Sequence, residues 1–228
     1  MQGDSWALVP MYNEASVITR VVTELGDAFA RVVCIDDGSS DESAALARAA
    51  GATVIRHPIN LGQGAALQTG FDYVARQRHS GYVVTFDADG QHRVEDAEHM
   101  VEIARADDLD VVLASRFTGQ TEDMPWIRGQ ILRAAVVFSR WSSGIAVTDA
   151  HNGLRVLHAR VLGRVRLRLN GMAHASELLD QIGRLGLTFA EVPVTIVYTD
   201  YSRSKSQANL NAINILFELA LSRMRAHP

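Results

Sequence analysis

The chain has 228 residues, 47% of them hydrophobic, and a formal net charge of −4. That length and content suit one domain with a sizeable core, and the mild negative charge offers no basic field for nucleic acid. A lone cysteine excludes a disulfide within the chain, the eight histidines lack metal-finger spacing, and no run approaches the ~18 apolar residues of a membrane span.

The N-terminus runs directly into Trp6-Ala7-Leu8-Val9, with no basic segment and longer apolar stretch before it. No signal peptide is expected, and the reading is a cytoplasmic protein, at most peripheral on the inner face of a membrane. Strands are expected at 5–9, 31–35, 52–55, 81–86 and 110–114. Cys34 falls inside the second and reads as a buried, reduced thiol. Between the strands, Val17, Ile18, Val21, Val22 and Leu25 mark one helix face. Leu67, Phe71 and Val74 mark another, and Val94, Ala97, Val101 and Ala104 a third. Asp41 reads as the N-cap of a helix over 42–50. This alternation predicts an α/β fold with a mostly parallel sheet and helices on both faces. The second half is less regular. It offers helices from Trp126 to Trp141 and from Ala175 to Leu185, a strand at 188–194 and a closing helix at 207–224.

Polar clusters follow the first four strands. They are Pro10-Met11-Tyr12-Asn13-Glu14, Asp36-Asp37-Gly38-Ser39-Ser40-Asp41, His57-Pro58-Ile59-Asn60-Leu61-Gly62-Gln63-Gly64 and Asp87-Ala88-Asp89-Gly90-Gln91-His92. Each alone is explained as an ordinary turn or cap. Four in succession, at the ends where open α/β sheets bind ligands, point to one extended nucleotide site. Asp87 and Asp89, one residue apart after the buried run Tyr82-Val83-Val84-Thr85-Phe86, suit a hard divalent cation that shares its shell with a diphosphate. The dinucleotide fingerprint is absent, because the first turn has no glycine and Gly62-Gln63-Gly64 lacks the third. There is no Gly-Lys-Ser/Thr of a P-loop.

Taken together, these four clusters resemble family-2 glycosyltransferases of the GT-A fold. Ser115-Arg116-Phe117, the run Thr148-Asp149-Ala150-His151-Asn152-Gly153-Leu154-Arg155 and Tyr201-Ser202-Arg203-Ser204-Lys205 extend the likeness over about residues 5–206. Within the family it is nearest to dolichyl-phosphate mannose and polyprenyl-phosphate glycosyl synthases. The resemblance implies a single Rossmann-like GT-A domain over 1–206, with 207–228 an amphipathic helix packed on the domain, a partner or the membrane. It implies that Pro10, Tyr12 and Glu14 hold base and ribose, that Asp37 binds the base, and that Gly62, Gln63, Gly64 and Ala88 line the nucleotide sugar. Asp87, Asp89 and Gln91 would surround Mg²⁺ or Mn²⁺. Arg116, Arg203 and Lys205 would serve phosphates, with Arg116, Asp89 and Asp149 counted as catalytic. The implied reaction moves a hexose from a UDP- or GDP-sugar to a polyprenyl or dolichyl phosphate, with inversion.

A phosphate acceptor needs no general base, whereas a saccharide hydroxyl does. His151 and Asn152 stand where the lipid-phosphate synthases often carry small residues, which leaves room for a hydroxyl acceptor in cell-surface polysaccharide synthesis. Asp149, His151, His174 and Glu177 are the base or acceptor candidates. Two other classes stay open. A nucleotidyltransferase would want a glycine-rich basic loop after the first strand, and a non-catalytic nucleotide-sugar binding module would not need the acidic pair. The segment Trp126–Trp141, with tryptophan at both ends and three internal arginines, reads equally as an interfacial helix, a core helix or a homodimer seam.

Overall fold

Alternation along the strands sorts side chains between two cores. In β1 (Gly3–Met11), Ala7, Val9 and Met11 enter one core and Leu8 the other. In β2 (Phe29–Asp36), Val32 and Cys34 join the first, and Val33 and Ile35 the second. A sheet buried on both faces needs this near-continuous apolar sequence. The computed structural model describes residues 3–116, 147–149 and 151–197.

The remaining elements, in chain order, are α1 (Ile18–Ala28), α2 (Ser43–Ala49), β3 (Thr53–Arg56), α3 (Gln63–Arg76), β4 (Tyr82–Thr85), α4 (Val94–Ala106), β5 (Val111–Ser115), β6 (Arg155–His158), α5 (Ala159–Leu162), α6 (His174–Leu185) and β7 (Phe189–Pro193). Helices α1, α2 and α4 cover the first core. Helices α3, α5 and α6 cover the second, where Phe71, Leu162, Leu178 and Leu179 are almost fully enclosed. Each such side chain contributes about 1.5–3 kcal/mol by leaving water. The spacing of Ile18, Val21, Val22 and Leu25 predicts the buried stripe of α1, and those residues form it.

The seven strands run in the order β3-β2-β1-β4-β6-β5-β7. Order reverses between β1 and β4, and the crevice beyond their carboxyl ends is where such sheets take ligands. The pairings of β1 with β2 and β4, β2 with β3, and β5 with β7 are parallel. β6 is the exception: it lies antiparallel between β4 and β5, with Arg155 opposite both Thr85 and Leu113. The sheet is thus mostly parallel, as expected, with β4 parallel to β1 and antiparallel to β6. Because β6 runs backwards, its first residue, Arg155, reaches the same sheet edge as the last residues of β4 and β5.

β6 was absent from the expected elements. Only Val156 and Leu157 in it are apolar, and Arg155 and His158 flank them, so the segment carries no readable strand pattern. The cap of α2 also shifts. Glu42 holds the N-cap position, and Asp41 instead accepts the Ser43 amide at 3.0 Å and the Ser43 hydroxyl. The helix expected at Trp126–Trp141 and the closing helix at 207–224 lie outside the described residues. No described helix is long and apolar enough to cross a membrane.

Candidate active site at the sheet's carboxyl edge

The loops after β1, β2 and β3 are tied to one another by side-chain bonds. Ser39 and Ser43 accept the amides of Asn13 and Glu14 at 2.9 and 2.7 Å. Asn13 Oδ1 accepts the Ser40 amide at 2.9 Å, and Asp41 the Ala15 amide at 3.1 Å. Asp37 is buried, with both oxygens engaged: Oδ1 accepts from Leu61 and from His57 Nδ1 at 2.9 and 2.8 Å, and Oδ2 from Gly62 at 2.7 Å. His57 Nε2 meets Thr69 Oγ1 of α3 at 2.9 Å. Asp37 therefore fixes the loop after β3. Around it Tyr12, Ile59 and Leu61 stay exposed and Glu14 is buried.

Gly62 and Gly64 have a different explanation from a phosphate cradle. A Cβ at Gly62 would run into the Asn170 carbonyl, and one at Gly64 into that of Leu169, and the Gly64 amide donates to the Asn170 carbonyl at 2.9 Å. These glycines let α3 sit against the segment that leads to α6. Gln63 between them turns its side chain to the acidic centre, donating to Asp87 Oδ1 at 2.9 Å.

Asp87 Oδ2 accepts from His92 Nε2 at 3.2 Å. It also lies flush on Gly153, where any Cβ would collide with its carboxylate. Thr85 Oγ1 donates to the Gly153 carbonyl at 2.7 Å and holds that backbone in place. Burial works against the Asp87 charge, but the His92 bond and the fields of His92, Arg155 and His174 outweigh it, so its pKa falls below the ordinary carboxylate range. Asp89 goes the other way. Burial, and then the charge on Asp87, push it up to about 6. A carboxylate held up by burial and by the charge beside it is one whose ionisation a cation would relieve. Ala88 between them is packed into the core, not turned toward a ligand.

Across the crevice, Asp149 is buried and gripped by Arg116. The Arg116 amide and Nε donate to Oδ2 at 3.1 and 2.6 Å, and Nη2 to Oδ1 at 3.2 Å. Glu191 of β7 accepts the amides of Thr148 and Asp149 at 2.8 and 2.9 Å and so holds the turn. Asn152 bonds Asp149 Oδ2 and the Leu154 amide. Glu177 accepts the amides of Arg168 and Leu169 at 2.8 and 2.9 Å, which makes it a structural anchor and removes it from the base candidates. His174 donates from Nδ1 to the Gly171 carbonyl at 2.9 Å. Burial, and next the Arg155 charge, push its pKa down to about 4. His151 is likewise pushed down to about 4 by burial and Arg155, and among the described residues neither of its ring nitrogens has a hydrogen-bond partner.

The structure thus gathers Glu14, Asp37, Gln63, Asp87, Asp89, Gln91, Arg116, Asp149, His151 and His174 at one edge of the sheet. Pro10 sits inside β1, paired with Ile35. Phe117, Ala150, Arg203 and Lys205 lie outside the described residues. Three site residues escaped sequence reasoning: His92 and Glu191, which position Asp87 and the Asp149 turn, and Arg155. The last was visible as the final residue of the Thr148–Arg155 run, but nothing in the run announced where its side chain would go.

A family model described as glycosyl transferase family 2 matches residues 6–167. The chain is 27% identical over 243 residues to the UDP-N-acetylglucosamine–dolichyl-phosphate N-acetylglucosaminyltransferase of Methanococcus voltae, covering 96% of each chain. It is 27% identical over 226 residues to the polyprenol monophosphomannose synthase of Mycolicibacterium smegmatis, covering 93% of this chain and 84% of that one. Among solved structures, glucosyl-3-phosphoglycerate synthase from Mycobacterium tuberculosis, in complex with Mn²⁺, UDP and glucosyl-3-phosphoglycerate, superposes with a TM-score of 0.69 at 19% identity. That match covers 96% of this chain and 79% of the other.

Proposed function

This chain belongs to glycosyl transferase family 2, which makes it a glycosyltransferase of GT-A fold, and from that premise we propose that it moves a hexose from a UDP- or GDP-sugar to a polyprenyl phosphate with inversion. An acceptor phosphate oxygen attacks the anomeric carbon. The bond to the nucleoside diphosphate breaks, and its electron pair departs on the β-phosphate. No proton has to move, because a phosphomonoester is already ionised at neutral pH.

The observation that carries this reading is the disarmed state of every base candidate. Asp149 has both oxygens held by Arg116, and Glu177 is occupied by two backbone amides. His174 and His151, each at about 4, are weak bases at neutral pH. A saccharide hydroxyl would need a better one. The relatives named for dolichyl phosphate and polyprenol support the same acceptor class. The second reading, a saccharide hydroxyl acceptor, has one observation on its side: the unpartnered ring of His151.

Asp87, Asp89 and Gln91 are the residues that would hold Mg²⁺ or Mn²⁺. The fit rests on the donor set, two carboxylates one residue apart, of which Asp89 is held up at about 6 by burial and then by the charge on Asp87. Bound there, a divalent ion supplies charge neutralisation for the departing diphosphate. Among the described residues no group of three or more His, Cys, Asp or Glu gathers to hold a metal. Substrate phosphates and water would therefore complete the shell. In this reading Tyr12, Glu14 and the loop fixed by Asp37 receive the nucleoside, and Arg203 and Lys205 close over the donor phosphates. Residues 1–206 act as the catalytic domain in this reading; 207–228 lie outside the described residues.

The test is radiolabel transfer from a panel of UDP- and GDP-sugars with Mg²⁺ or Mn²⁺, with polyprenyl phosphate present or omitted. Label that enters the organic phase only with the lipid phosphate is the expected result. Donor turnover onto a saccharide with no lipid product would replace it with the hydroxyl reading.

A further inference from the structure

Arg155 opens β6 and is only 3% exposed. Its place in the strand alternates with Val156, so it shares a sheet face with Leu157, the face covered by α3 and α6. It is a buried cation without a bonded anion: among the described residues its guanidinium makes no hydrogen bond and no ion pair. The two nearest acids in charge terms are Asp87 and Asp149, and both are committed elsewhere. Gln63 and His92 hold Asp87, and Arg116 holds Asp149. A buried guanidinium normally has a paired and hydrogen-bonded partner, because desolvation of an unpaired charge is costly. Beside it, within reach of its field, are His174 and His151, the latter with both ring nitrogens buried and unpartnered. Arg155 and the unpartnered His151 ring therefore share one electrostatic neighbourhood, in which Asp87 and Asp149 are bonded to other groups.

We propose that Arg155, with His151 beside it, is an oxyanion subsite that receives a phosphoryl oxygen during the reaction, a role Arg116 does not fill because its guanidinium is bound to Asp149. Burial keeps water from screening the contact, and a guanidinium matches phosphate oxygens in a bidentate fork. The phosphoryl oxygen has two sources, the acceptor phosphomonoester and the β-phosphate of the donor nucleotide. The acceptor source rests on the polyprenyl-phosphate reading above; the nucleotide source does not.

The experiment measures binding of UDP, GDP and a short-chain prenyl phosphate separately by titration calorimetry, on the wild-type chain and on Arg155→Gln and Arg155→Lys, with thermal unfolding of each unliganded protein. The expected result is a loss of about tenfold or more in affinity on one arm for Arg155→Gln, with partial retention in Arg155→Lys. Unfolding temperature should stay close to that of wild type, because among the described residues no hydrogen bond of the guanidinium is lost. Loss on the prenyl-phosphate arm assigns the subsite to the acceptor, and loss on the nucleotide arm assigns it to the leaving group. Affinities unchanged on both arms, or a lowered unfolding temperature with binding intact, would overturn the proposal and make Arg155 structural. If wild type fails to bind prenyl phosphate, the acceptor reading falls while the nucleotide arm still decides Arg155. If Arg155→Gln does not fold, nitrogen-15 NMR of the wild-type arginine side chains decides instead. A new Nε resonance shift on addition of the phosphate ligands supports the subsite, and an unmoved spectrum refutes it.

Discussion

The two sides of the crevice are built on opposite principles. On the side of β1, β2 and β3, loop carboxylates, hydroxyls and amides satisfy one another. Ser43 receives Glu14, Asn13 receives Ser40, and Asp37 receives Leu61, Gly62 and His57. On the side of β6 the balance is incomplete, with both ring nitrogens of His151 left without hydrogen-bond partners among the described residues and the Arg155 side chain buried nearby. Donor loops that are already cross-linked lose little freedom when a nucleotide arrives, so binding energy is not spent on ordering them. The opposite wall keeps buried cationic and imidazole groups waiting for charge that a substrate must bring, a form of electrostatic preorganisation.

The largest effects should come from the seam between the two sides. Asp89→Ala is expected to lower transfer by about 10²–10³-fold or more with the fold intact, since half of the acidic pair is gone. Chelation should do the same, reversibly on return of Mg²⁺ or Mn²⁺. Circular dichroism beside the radiolabel assay checks both, and full activity without Asp89 would dismiss the metal assignment. Next comes Gly153→Ala. The new methyl group occupies the space of the Asp87 carboxylate, and a displacement of about 1 Å at a reacting centre costs about 10²-fold. The kcat/KM of the purified variant reads this directly, and a silent substitution would mean that the Asp87 position is unimportant.

Ser43→Ala targets the donor side. It strips the Glu14 amide and Asp41 Oδ1 of the shared Ser43 hydroxyl, while the Ser43 amide still reaches Asp41, and an unsatisfied buried donor costs about 1–3 kcal/mol. A lower urea midpoint together with a raised donor KM is expected; a change in acceptor KM alone would contradict the division drawn above. The smallest effect concerns Cys34. Burial, then the charge on Asp36, push its thiol from 9.0 up to about 12. The folded state thus holds a proton that the unfolded state releases. The stability linked to this group is full below 9.0 and is lost as pH rises toward about 12. In mildly alkaline buffer Cys34 should resist iodoacetamide until the chain is unfolded. Rapid labelling of the native protein would show that this core opens.

What could be read in the sequence was local. Apolar runs of fixed period placed β1 through β5 and α1, α3 and α4, and Asp87 and Asp89 stood out because a strand pattern ended just before them. What could not be read depended on contacts between distant segments. β6 exists because β4 and β5 flank it, not because Arg155-Val156-Leu157-His158 looks like a strand. Glu191 reads as a stray acid in an apolar strand until Thr148 and Asp149 arrive to donate to it. Asp149 looked like a base because the sequence cannot show that Arg116 folds onto both its oxygens. At Gly62 and Gly64, which the sequence offered as ligand-lining, the neighbour that needs the missing side chains is the protein's own backbone at Asn170 and Leu169.

The contact between Asp87 and Gly153 has a consequence for how such a chain can change over generations. The two positions lie in separate segments of the sequence, yet 153 cannot gain a side chain while 87 keeps its carboxylate. A larger residue at 153 would be tolerated only alongside a shorter one at 87, which would surrender the acidic pair. Selection for the acidic pair therefore also freezes the glycine packed against it. Chimaeras assembled from related enzymes with a crossover between these two positions should survive only when both parents bring the same pairing.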